Sequence, residues 1–255
     1  MKTWRFIDNV DGFNVYLNMA LDEAIARARA EGKVPDTLRL YRIKPSAVTI
    51  GYFQSVKEEI NIEKCRELGV EFTRRITGGG AVYHDYNGEV TYCVVVSPRS
   101  YPVPNDIVES YRLLCAGLVY ALKKLGLPAE FKPVNDVVVR GRKISGSAQT
   151  RKWGVVLQHG TLLFNTNLDV LFSVLKIPVE KIRDKGIKSV KERVTTVTRE
   201  LGRTVSAEEV RDAMVEGFKK ALNIELEPGE FTSYELELAR KLEERYRSKE
   251  WIYRR

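Results

Sequence analysis

Hydrophobic residues follow two different spacings along this chain, one typical of helices and one typical of strands. Apolar residues recur three and four positions apart in residues 15–30, 105–125 and 206–221, which predicts three amphipathic helices. Alternating or continuous apolar runs predict strands at residues 4–7, 38–43, 47–51, 70–75, 89–96 and 153–165, and a pair of strands joined by an Arg140-Gly141 turn within residues 134–149. Residues 181–255 are predicted to be a mainly helical part that packs on the same core.

Polar residues indicate where some of these helices begin and end. Asn105 is expected to cap the helix over residues 105–125, and Gly126 is expected to end it. Ser206 with Glu209 has the spacing of a capping box, and Thr232 with Glu235 repeats it. These segments are therefore predicted to be scaffold.

The length and composition are those of a folded globular protein. The chain has 255 residues, of which 44% are hydrophobic, which is enough for one large domain or for one domain with a small appendage. No apolar run approaches the roughly 18 to 20 residues of a membrane span, and residues 1–8 lack the apolar segment of a signal peptide. We expect a single domain over residues 1–255, located in the cytoplasm and without a membrane partner.

The three cysteines do not predict a disulfide framework or a zinc site. Their number is odd, and none of them has Cys-x-x-Cys spacing. Cys93 lies in an apolar strand pattern, and Cys115 lies on the apolar side of a predicted helix. We expect Cys65, Cys93 and Cys115 to be buried thiols.

The positive net charge makes an anionic partner plausible. The net charge is +8, and the isoelectric point is near 9.3. Nucleic acid is the default expectation for such a charge, but basic residues alternate with acidic ones, and no known nucleic-acid-binding module is present. Charged residues make up 30% of the chain, a composition typical of the ion-pair-rich surface of a thermophile's protein.

The segment with the strongest functional signal is residues 74–85, which read Arg-Arg-Ile-Thr-Gly-Gly-Gly-Ala-Val-Tyr-His-Asp. Glycines let a ligand approach backbone amides closely and permit the positive φ angles that turn N–H groups toward an anion. The adjacent arginines, histidine and aspartate add fixed charge and a possible magnesium ligand. Glycine runs mark turns more often than phosphate sites, so a simple hairpin turn is the alternative.

Residues 134–149 form the second informative segment. A hairpin here would bring Asn135 and Asp136 close to Ser147 and Ala148, with Lys143 near the turn. A turn lysine is ordinarily solvated, and Asp136 could simply end a strand. The two histidines of the chain, His84 and His159, fall in separate polar segments that contain glycine, without His-x-x-His spacing for a metal and without a nearby Ser-His-Asp pattern.

Four ordered motifs resemble the lipoate-protein ligase family, which is related to biotin protein ligases and octanoyltransferases. The motifs are residues 74–85, Asn135-Asp136, Lys143-Ile-Ser-Gly-Ser-Ala-Gln149 and His159-Gly-Thr-Leu-Leu163, and the resemblance extends from about residue 13 to residue 251. It implies an α/β fold of the α+β type, in which helices flank a mixed, largely antiparallel sheet.

The resemblance also implies an ATP-dependent, AMP-forming lipoate-protein ligase. Such an enzyme activates lipoate with ATP and Mg2+ to lipoyl-adenylate and transfers the lipoyl group to a carrier lysine, found on the lipoyl domains of 2-oxoacid dehydrogenase E2 subunits and on the glycine-cleavage H protein. Lys143 would stabilise charge in both steps, and Asp136 would help to place Mg2+. The residues implied to bind ATP and lipoyl-adenylate are Arg75, Gly78, Gly79, Gly80, Ala81, Val82, Tyr83, His84, Asn135, Lys143, Ser147, Ala148, His159, Gly160 and Thr161.

The end of the sequence adds one further expectation. Larger ligases of this family carry a C-terminal accessory domain, whereas only four residues follow Trp251 here. The resemblance therefore implies a short form that works with a separate, small accessory subunit.

Two alternatives remain open. An octanoyltransferase of the same fold would use a cysteine nucleophile and no ATP, but no cysteine follows Cys115 in this chain, which favours ligase chemistry. The other alternative, from a different class, is a non-enzymatic protein that binds a nucleotide or nucleic acid through the glycine loop and the positive charge.

Overall fold

The computed structural model describes residues 1–176 and 191–255. The strands in these residues are β1 (Lys2–Phe13), β2 (Thr37–Ile43), β3 (Ala47–Ile50), β4 (Glu71–Arg74), β5 (Val82–His84), β6 (Glu89–Val96), β7 (Ala129–Lys132), β8 (Asp136–Val139), β9 (Arg142–Lys152), β10 (Val155–Leu163) and β11 (Ile224–Pro228). The helices are α1 (Val15–Ala30), α2 (Val56–Glu59), α3 (Ile62–Glu67), α4 (Ile107–Lys124), α5 (Leu168–Val174), α6 (Val197–Leu201), α7 (Ala207–Leu222), α8 (Ser233–Arg247) and α9 (Lys249–Ile252).

An eight-stranded sheet forms the body of the protein, in the order β11-β1-β2-β6-β10-β9-β8-β7. Strand β1 pairs in parallel with β11 and with β2, and the other pairs are antiparallel. Every residue of the central strand β6 is buried, because helices cover both faces of the sheet, and its sequence is therefore nearly continuous in apolar residues. The predicted mixed, largely antiparallel sheet flanked by helices is confirmed.

The alternation of side chains along the strands divides the core into two clusters. Tyr92 and Val94 of β6 join the cluster beneath α4 and α7, whereas Cys93 and Val95 join the cluster beneath α1 and α8. His159 of β10 is directly opposite Cys93 in the antiparallel register. The imidazole of His159 therefore lies on the α1 side of the sheet.

A second, three-stranded sheet has the order β4-β3-β5 and positions the glycine loop, which we define as residues 75–81. Strands β4 and β5 both pair with β3, so the loop that joins them begins and ends beside the same strand. The N–H of Arg75 donates to the carbonyl of Ile50, and the N–H of Tyr52 donates to the carbonyl of Thr77. These backbone contacts hold the loop against the end of β3.

Several predicted elements match the structure, and others differ for identifiable reasons. The predicted bounds of α1 and β6 are confirmed. Asn105 is not the cap of α4, because Asp106 is the N-cap residue and its side chain accepts a hydrogen bond from the N–H of Glu109. The side chains of Thr232 and Glu235 form the capping box that was predicted for the start of α8.

Three strands were not predicted from the sequence. Strands β5 and β7 are only three and four residues long, and β11 lies in the part that was predicted to be mainly helical. Residues 224–228 form a strand because they pair with β1, from which more than 200 residues of chain separate them. Residues 181–190 of the predicted helical part lie outside the described residues, and the assignment of residues 1–255 to a single domain stays a prediction.

Within residues 1–176 and 191–255, no helix is both long enough and apolar enough to cross a bilayer.

Candidate active site

A pocket that is partly open to solvent lies between the glycine loop, β9 and β10. The residues that were predicted from the sequence and that line it are Arg75, Gly79, Gly80, Ala81, Val82, His84, Asn135, Lys143, Ser147, Ala148, His159, Gly160 and Thr161. Gly78 and Tyr83 do not line it, since Gly78 faces Phe53 and Tyr83 belongs to the buried core. The binding roles of all these residues stay predictions.

The pocket also contains residues that the sequence did not single out. They are Met19, Tyr41, Thr49, Thr91 and Gly146. The side chains among them lie on apolar helix or strand patterns, where a core role is the ordinary expectation. Only the fold brings them to the pocket.

The side chain of Arg75 fixes the shape of the glycine loop through hydrogen bonds. Its Nη2 donates to the carbonyls of Gly78 and Gly80 over 2.6 and 2.7 Å, and its Nη1 donates to the carbonyl of Thr49 over 3.2 Å. Burial lowers the pKa of Arg75 to about 10, so the guanidinium remains protonated at neutral pH. Arg75 thus supplies a buried positive charge at the pocket wall.

The glycine loop also contains backbone N–H groups without a backbone acceptor. Among residues 1–176 and 191–255, the N–H groups of Gly79, Gly80 and Ala81 find no backbone acceptor. Gly79 has a φ angle of +86°, which an L-residue rarely adopts and which turns the local peptide groups. Free amides next to a buried guanidinium form a site that favours an oxygen carrying negative charge.

Lys143 reaches the pocket from β9. Between β8 and β9 the register shifts by one residue, because Val137 pairs with Ser145 while Val138 pairs with Lys143. Such a bulge redirects a side chain relative to the regular alternation of the strand. The Nζ of Lys143 lies 2.7 Å from Oδ1 of Asp136, and the side chain is partly exposed at the pocket.

The backbone around Lys143 is held by a distant segment. Its N–H donates to the carbonyl of Arg193 over 2.7 Å, and its carbonyl accepts from the N–H of Thr195 over 2.8 Å. At the open end of the same hairpin, Asn135 and Ser147 exchange hydrogen bonds, which confirms their predicted proximity. The backbone that presents the lysine is therefore hydrogen-bonded at several points.

His159 lies in a buried chain of polar groups. Its Nδ1 is 2.9 Å from Oδ2 of Asp22, its Nε2 is 2.7 Å from Oγ1 of Thr77, and Oγ1 of Thr77 accepts from Nε of Arg75. Burial opposes ionisation of Asp22, but the hydrogen bond from His159 and the charge of Arg39 outweigh it and lower the pKa of Asp22. Burial lowers the pKa of His159, so the imidazole is neutral, with its proton on Nδ1.

The contacts of His84 are similar to those of His159. Its Nδ1 lies 3.0 Å from Oε1 of Glu89, and its Nε2 lies 2.9 Å from Oγ1 of Thr49. Each histidine of the chain thus joins a carboxylate to a threonine hydroxyl. Neither threonine is a candidate nucleophile, because Thr49 and Thr77 are buried with exposed fractions of 1% and 0%.

Asp22 and Glu89, the carboxylate partners of the histidines, were missed at the level of the sequence. Asp22 lies among the apolar residues of α1, and Glu89 lies at the start of the apolar strand β6. A carboxylate within a buried stretch is a signal, because a charge is rarely buried unless it is paired. The sequence does not reveal which histidine each of them meets.

We expect the neutral state of His159 to make the protein acid-sensitive. Its pKa in the folded state lies below the ordinary value of 6.5, so the unfolded chain binds more protons between these two values, and stability falls as pH decreases below about 6.5. The loss can reach about 1.4 kcal/mol per pH unit. Urea unfolding between pH 8 and pH 5 measures it, and His159→Gln should flatten the curve. Equal pH dependence in both proteins would contradict this role.

The surroundings of Asp136 show which protein groups are available to the predicted metal site. No group of three or more histidine, cysteine, aspartate or glutamate side chains that could hold a metal occurs in the described part of the chain. The carboxylate of Asp136 instead contacts Lys143. Mg2+ is commonly held by one or two carboxylates together with phosphates and waters, so the predicted role of Asp136 at a metal stays a prediction.

The three thiols are buried, as predicted, and Cys115 has side-chain neighbours in the pocket lining. Sγ of Cys115 lies 3.5 Å from Oγ of Ser147, behind the pocket lining. Burial raises the pKa of Cys115 to about 11, despite hydrogen bonds from Ser147, Tyr92 and Gln158. In this arrangement Cys115 is a protonated thiol.

Comparisons with known proteins agree on the family. Residues 14–219 match the family model described as the lipoyl protein ligase A/B catalytic domain. The chain is 42% identical to octanoyltransferase LipM of Kyrpidia tusciae, over 100% of both chains, and 37% identical to octanoyltransferase LipM of Bacillus subtilis, over 100% of this chain and 99% of that one.

A solved structure gives the same result for the fold. The structure of a bi-partite lipoate protein ligase and its E2 lipoyl domain from Thermoplasma acidophilum aligns with a TM-score of 0.86 at 38% identity, covering 99% of this chain and 96% of that chain. The predicted fold and the predicted family are thus confirmed.

The prediction of an ATP-dependent, AMP-forming ligase is wrong. Relatives that match the chain over its full length at 36% to 42% identity are octanoyltransferases, the class that the absence of a cysteine beyond Cys115 had counted against. The absence of a cysteine after Cys115 therefore led to a wrong prediction of ligase chemistry. The matches to the family model and to these full-length relatives establish that the chain belongs to the lipoyl protein ligase A/B catalytic domain family.

Proposed function

We propose that this protein is an octanoyltransferase, which moves an octanoyl group from a thioester donor to the ε-amino group of a lysine on a carrier domain. The observation that carries this is the convergence of the Lys143 ammonium, the Arg75 guanidinium and the free amides of the glycine loop on one pocket. The octanoyl group itself is taken from the names of the full-length relatives.

The carriers that fit this reaction are lipoyl domains of E2 subunits and the glycine-cleavage H protein. The structural relative from Thermoplasma acidophilum was described together with its E2 lipoyl domain, which supports this class of partner. A separate accessory subunit was predicted together with activation by ATP, and the transfer reaction does not require one. Three free thiols suit the reducing cytoplasm, where we place the reaction.

The transfer exchanges one bond for another. The neutral amine of the carrier lysine attacks the thioester carbonyl, the C–N bond forms, the C–S bond breaks, and the amine proton leaves while the sulfur departs as a thiol. Negative charge develops on the carbonyl oxygen during the attack. Preorganised donors that face this oxygen lower the barrier, and Lys143 together with the loop amides supplies them.

We further propose that the octanoyl group passes directly from donor to lysine, without an intermediate on a cysteine. An acyl-enzyme requires an accessible thiolate, whereas Cys115 lies behind Ser147 with its pKa raised to about 11. Direct transfer needs only that the pocket hold the thioester carbonyl beside the approaching amine.

Replacing all three cysteines by alanine should leave acyl transfer within about threefold of the wild-type rate, because each thiol contributes packing alone. The measurement is kcat/KM for the triple variant, together with intact-mass analysis of the wild-type protein after incubation with the donor. Unfolding midpoints control for loss of packing. Octanoyl attached to Cys115, or loss of activity in a folded Cys115→Ala protein, would refute direct transfer.

Mass spectrometry of an apo lipoyl domain tests the proposed function. The domain is incubated with the protein and S-octanoyl-pantetheine, with neither ATP nor Mg2+ present. We expect one octanoyl group on the carrier lysine, and no product from octanoate alone. A reaction that needs octanoate or lipoate together with ATP would show that the proposed function is wrong.

A further inference from the structure

A surface rich in aromatic and basic side chains lies beside the glycine loop. We define this aromatic-basic surface by Tyr52, Phe53, Lys152, Trp251, Arg254 and Arg255. Arg254 lies over the rings of Tyr52 and Trp251, Arg255 over the ring of Phe53, and Lys152 over the ring of Tyr52, at 4.3 to 5.4 Å from the ring centroids. The ring of Phe53 is 65% exposed, although it is large and apolar.

The cations of this surface are not held in ion pairs. Lys152, Arg254 and Arg255 form no ion pair among residues 1–176 and 191–255, whereas the neighbouring Arg245 is paired with Glu23. A hydrogen bond from Arg254 lowers the pKa of Tyr52, and the positive charges of Arg254, Lys152 and Arg255 lower it further. An exposed patch of rings and unpaired cations is suited to an acidic partner.

The glycine loop is a wall shared by this surface and the pocket. Cδ2 of Phe53 lies 4.0 Å from the position that a β-carbon on Gly78 would occupy, and the next residue, Gly79, lines the pocket. The indole N–H of Trp251 donates to the carbonyl of Arg74, directly before the loop. A protein bound on this surface is therefore within side-chain reach of the pocket.

We propose that the aromatic-basic surface binds the acidic face of the carrier domain and thereby directs the acceptor lysine to the pocket. This inference rests on the proposed function, which requires a protein to present a lysine at the pocket mouth. The exposed ring of Phe53 packs against the carrier, and Lys152, Arg254 and Arg255 pair with its carboxylates. Among the possible occupants, the carrier is the one whose reacting group must enter the adjacent pocket.

Two sets of substitutions test this surface. Phe53→Ser removes the exposed ring, and Lys152→Glu with Arg255→Glu reverses two charges. The matched control is Lys123→Glu with Lys124→Glu, on exposed positions of α4, which covers the opposite face of the sheet. Unfolding midpoints of all variants verify that they are folded.

The first readout is the Kd of each variant for an acidic apo lipoyl domain whose acceptor lysine is changed to alanine, measured by calorimetry. The second is kcat/KM for transfer from S-octanoyl-pantetheine to the intact lipoyl domain and to the small amine Nα-acetyl-lysine amide. We expect Kd and the KM for the domain to rise at least about tenfold in the surface variants, and transfer to the small amine to stay unchanged. Added salt should weaken wild-type binding more than binding by the charge-reversed variant.

The outcomes separate the two proposals. Binding that is weakened in the surface variants, in a protein that transfers no octanoyl group, would support the docking surface and refute the proposed function. Transfer with an unchanged Kd for the lipoyl domain in every variant would overturn the docking surface alone. A change in the KM for a protein-bound octanoyl donor, with the carrier unaffected, would assign the surface to the donor and also overturn it.

Discussion

Lys143→Ala is expected to lower kcat/KM for acyl transfer at least about 100-fold while the protein stays folded. The Nζ of Lys143 lies at the pocket, 2.7 Å from Asp136, and no other lysine lines this pocket in the described residues. Removing one group that stabilises a developing oxyanion typically costs about 2.7 kcal/mol or more, which corresponds to this factor. The side chain is 44% exposed, so its loss leaves no cavity. Steady-state kinetics with S-octanoyl-pantetheine and the lipoyl domain measure the effect.

Two further variants separate a catalytic effect from an electrostatic one. Lys123→Ala removes the same charge at an exposed position of α4 and should leave kcat/KM unchanged. Asp136→Asn removes the ionic partner of Lys143 but keeps the ammonium, and a smaller loss is expected. Near-normal transfer by folded Lys143→Ala protein would exclude this lysine from the reaction.

Gly51→Ala is expected to damage both stability and activity. A β-carbon on Gly51 would lie 2.0 Å from the carbonyl oxygen of Gly79, an impossible contact with backbone. The guanidinium of Arg74 donates hydrogen bonds to the carbonyls of Gly51, Tyr52 and Gln54, which hold this segment in place. The glycine loop is therefore the part that has to move. Overpacking of this kind costs about 1 to 3 kcal/mol of folding free energy. A loop moved by one ångström costs about 100-fold in rate.

Gly78→Ala is the matched control for this clash. Its added methyl group would meet only the ring of Phe53, at 4.0 Å, and Gly78 does not adopt a positive φ angle. Urea unfolding and kcat/KM for octanoyl transfer are measured for both variants. If Gly51→Ala behaves like Gly78→Ala in both measurements, then the contact between Gly51 and the loop does not determine the geometry of the pocket.

The parts of the site that the sequence predicted are those encoded by short segments. The hairpin of β8 and β9 was predicted from an Arg-Gly turn between two strand patterns, and it brings Asn135 to Ser147. The glycine run likewise indicated a loop with free amides. In both segments, spacing along the chain was a sufficient guide to spacing in the structure.

Contacts between segments that are far apart in the sequence could not be predicted in this way. Asp22 meets His159 across 137 positions, and the backbone of Lys143 meets Arg193 and Thr195 on a separate segment. No local pattern encodes such pairs, because they depend on how helices and strands pack. The prediction of ligase chemistry was wrong for a different reason, since it rested on family motifs and on the positions of cysteines along the chain.

The parallel pairing of β1 with β11 has a consequence for how the protein is made. Lys2 pairs with Ile224, so the outer edge of β1 stays uncovered until the ribosome has synthesised more than 200 further residues. At typical rates of translation this interval is on the order of 10 to 40 s. An unpaired strand edge is a site for association with other chains. Nascent chains released before residue 224 should therefore aggregate more readily than the 255-residue chain and depend more on chaperones.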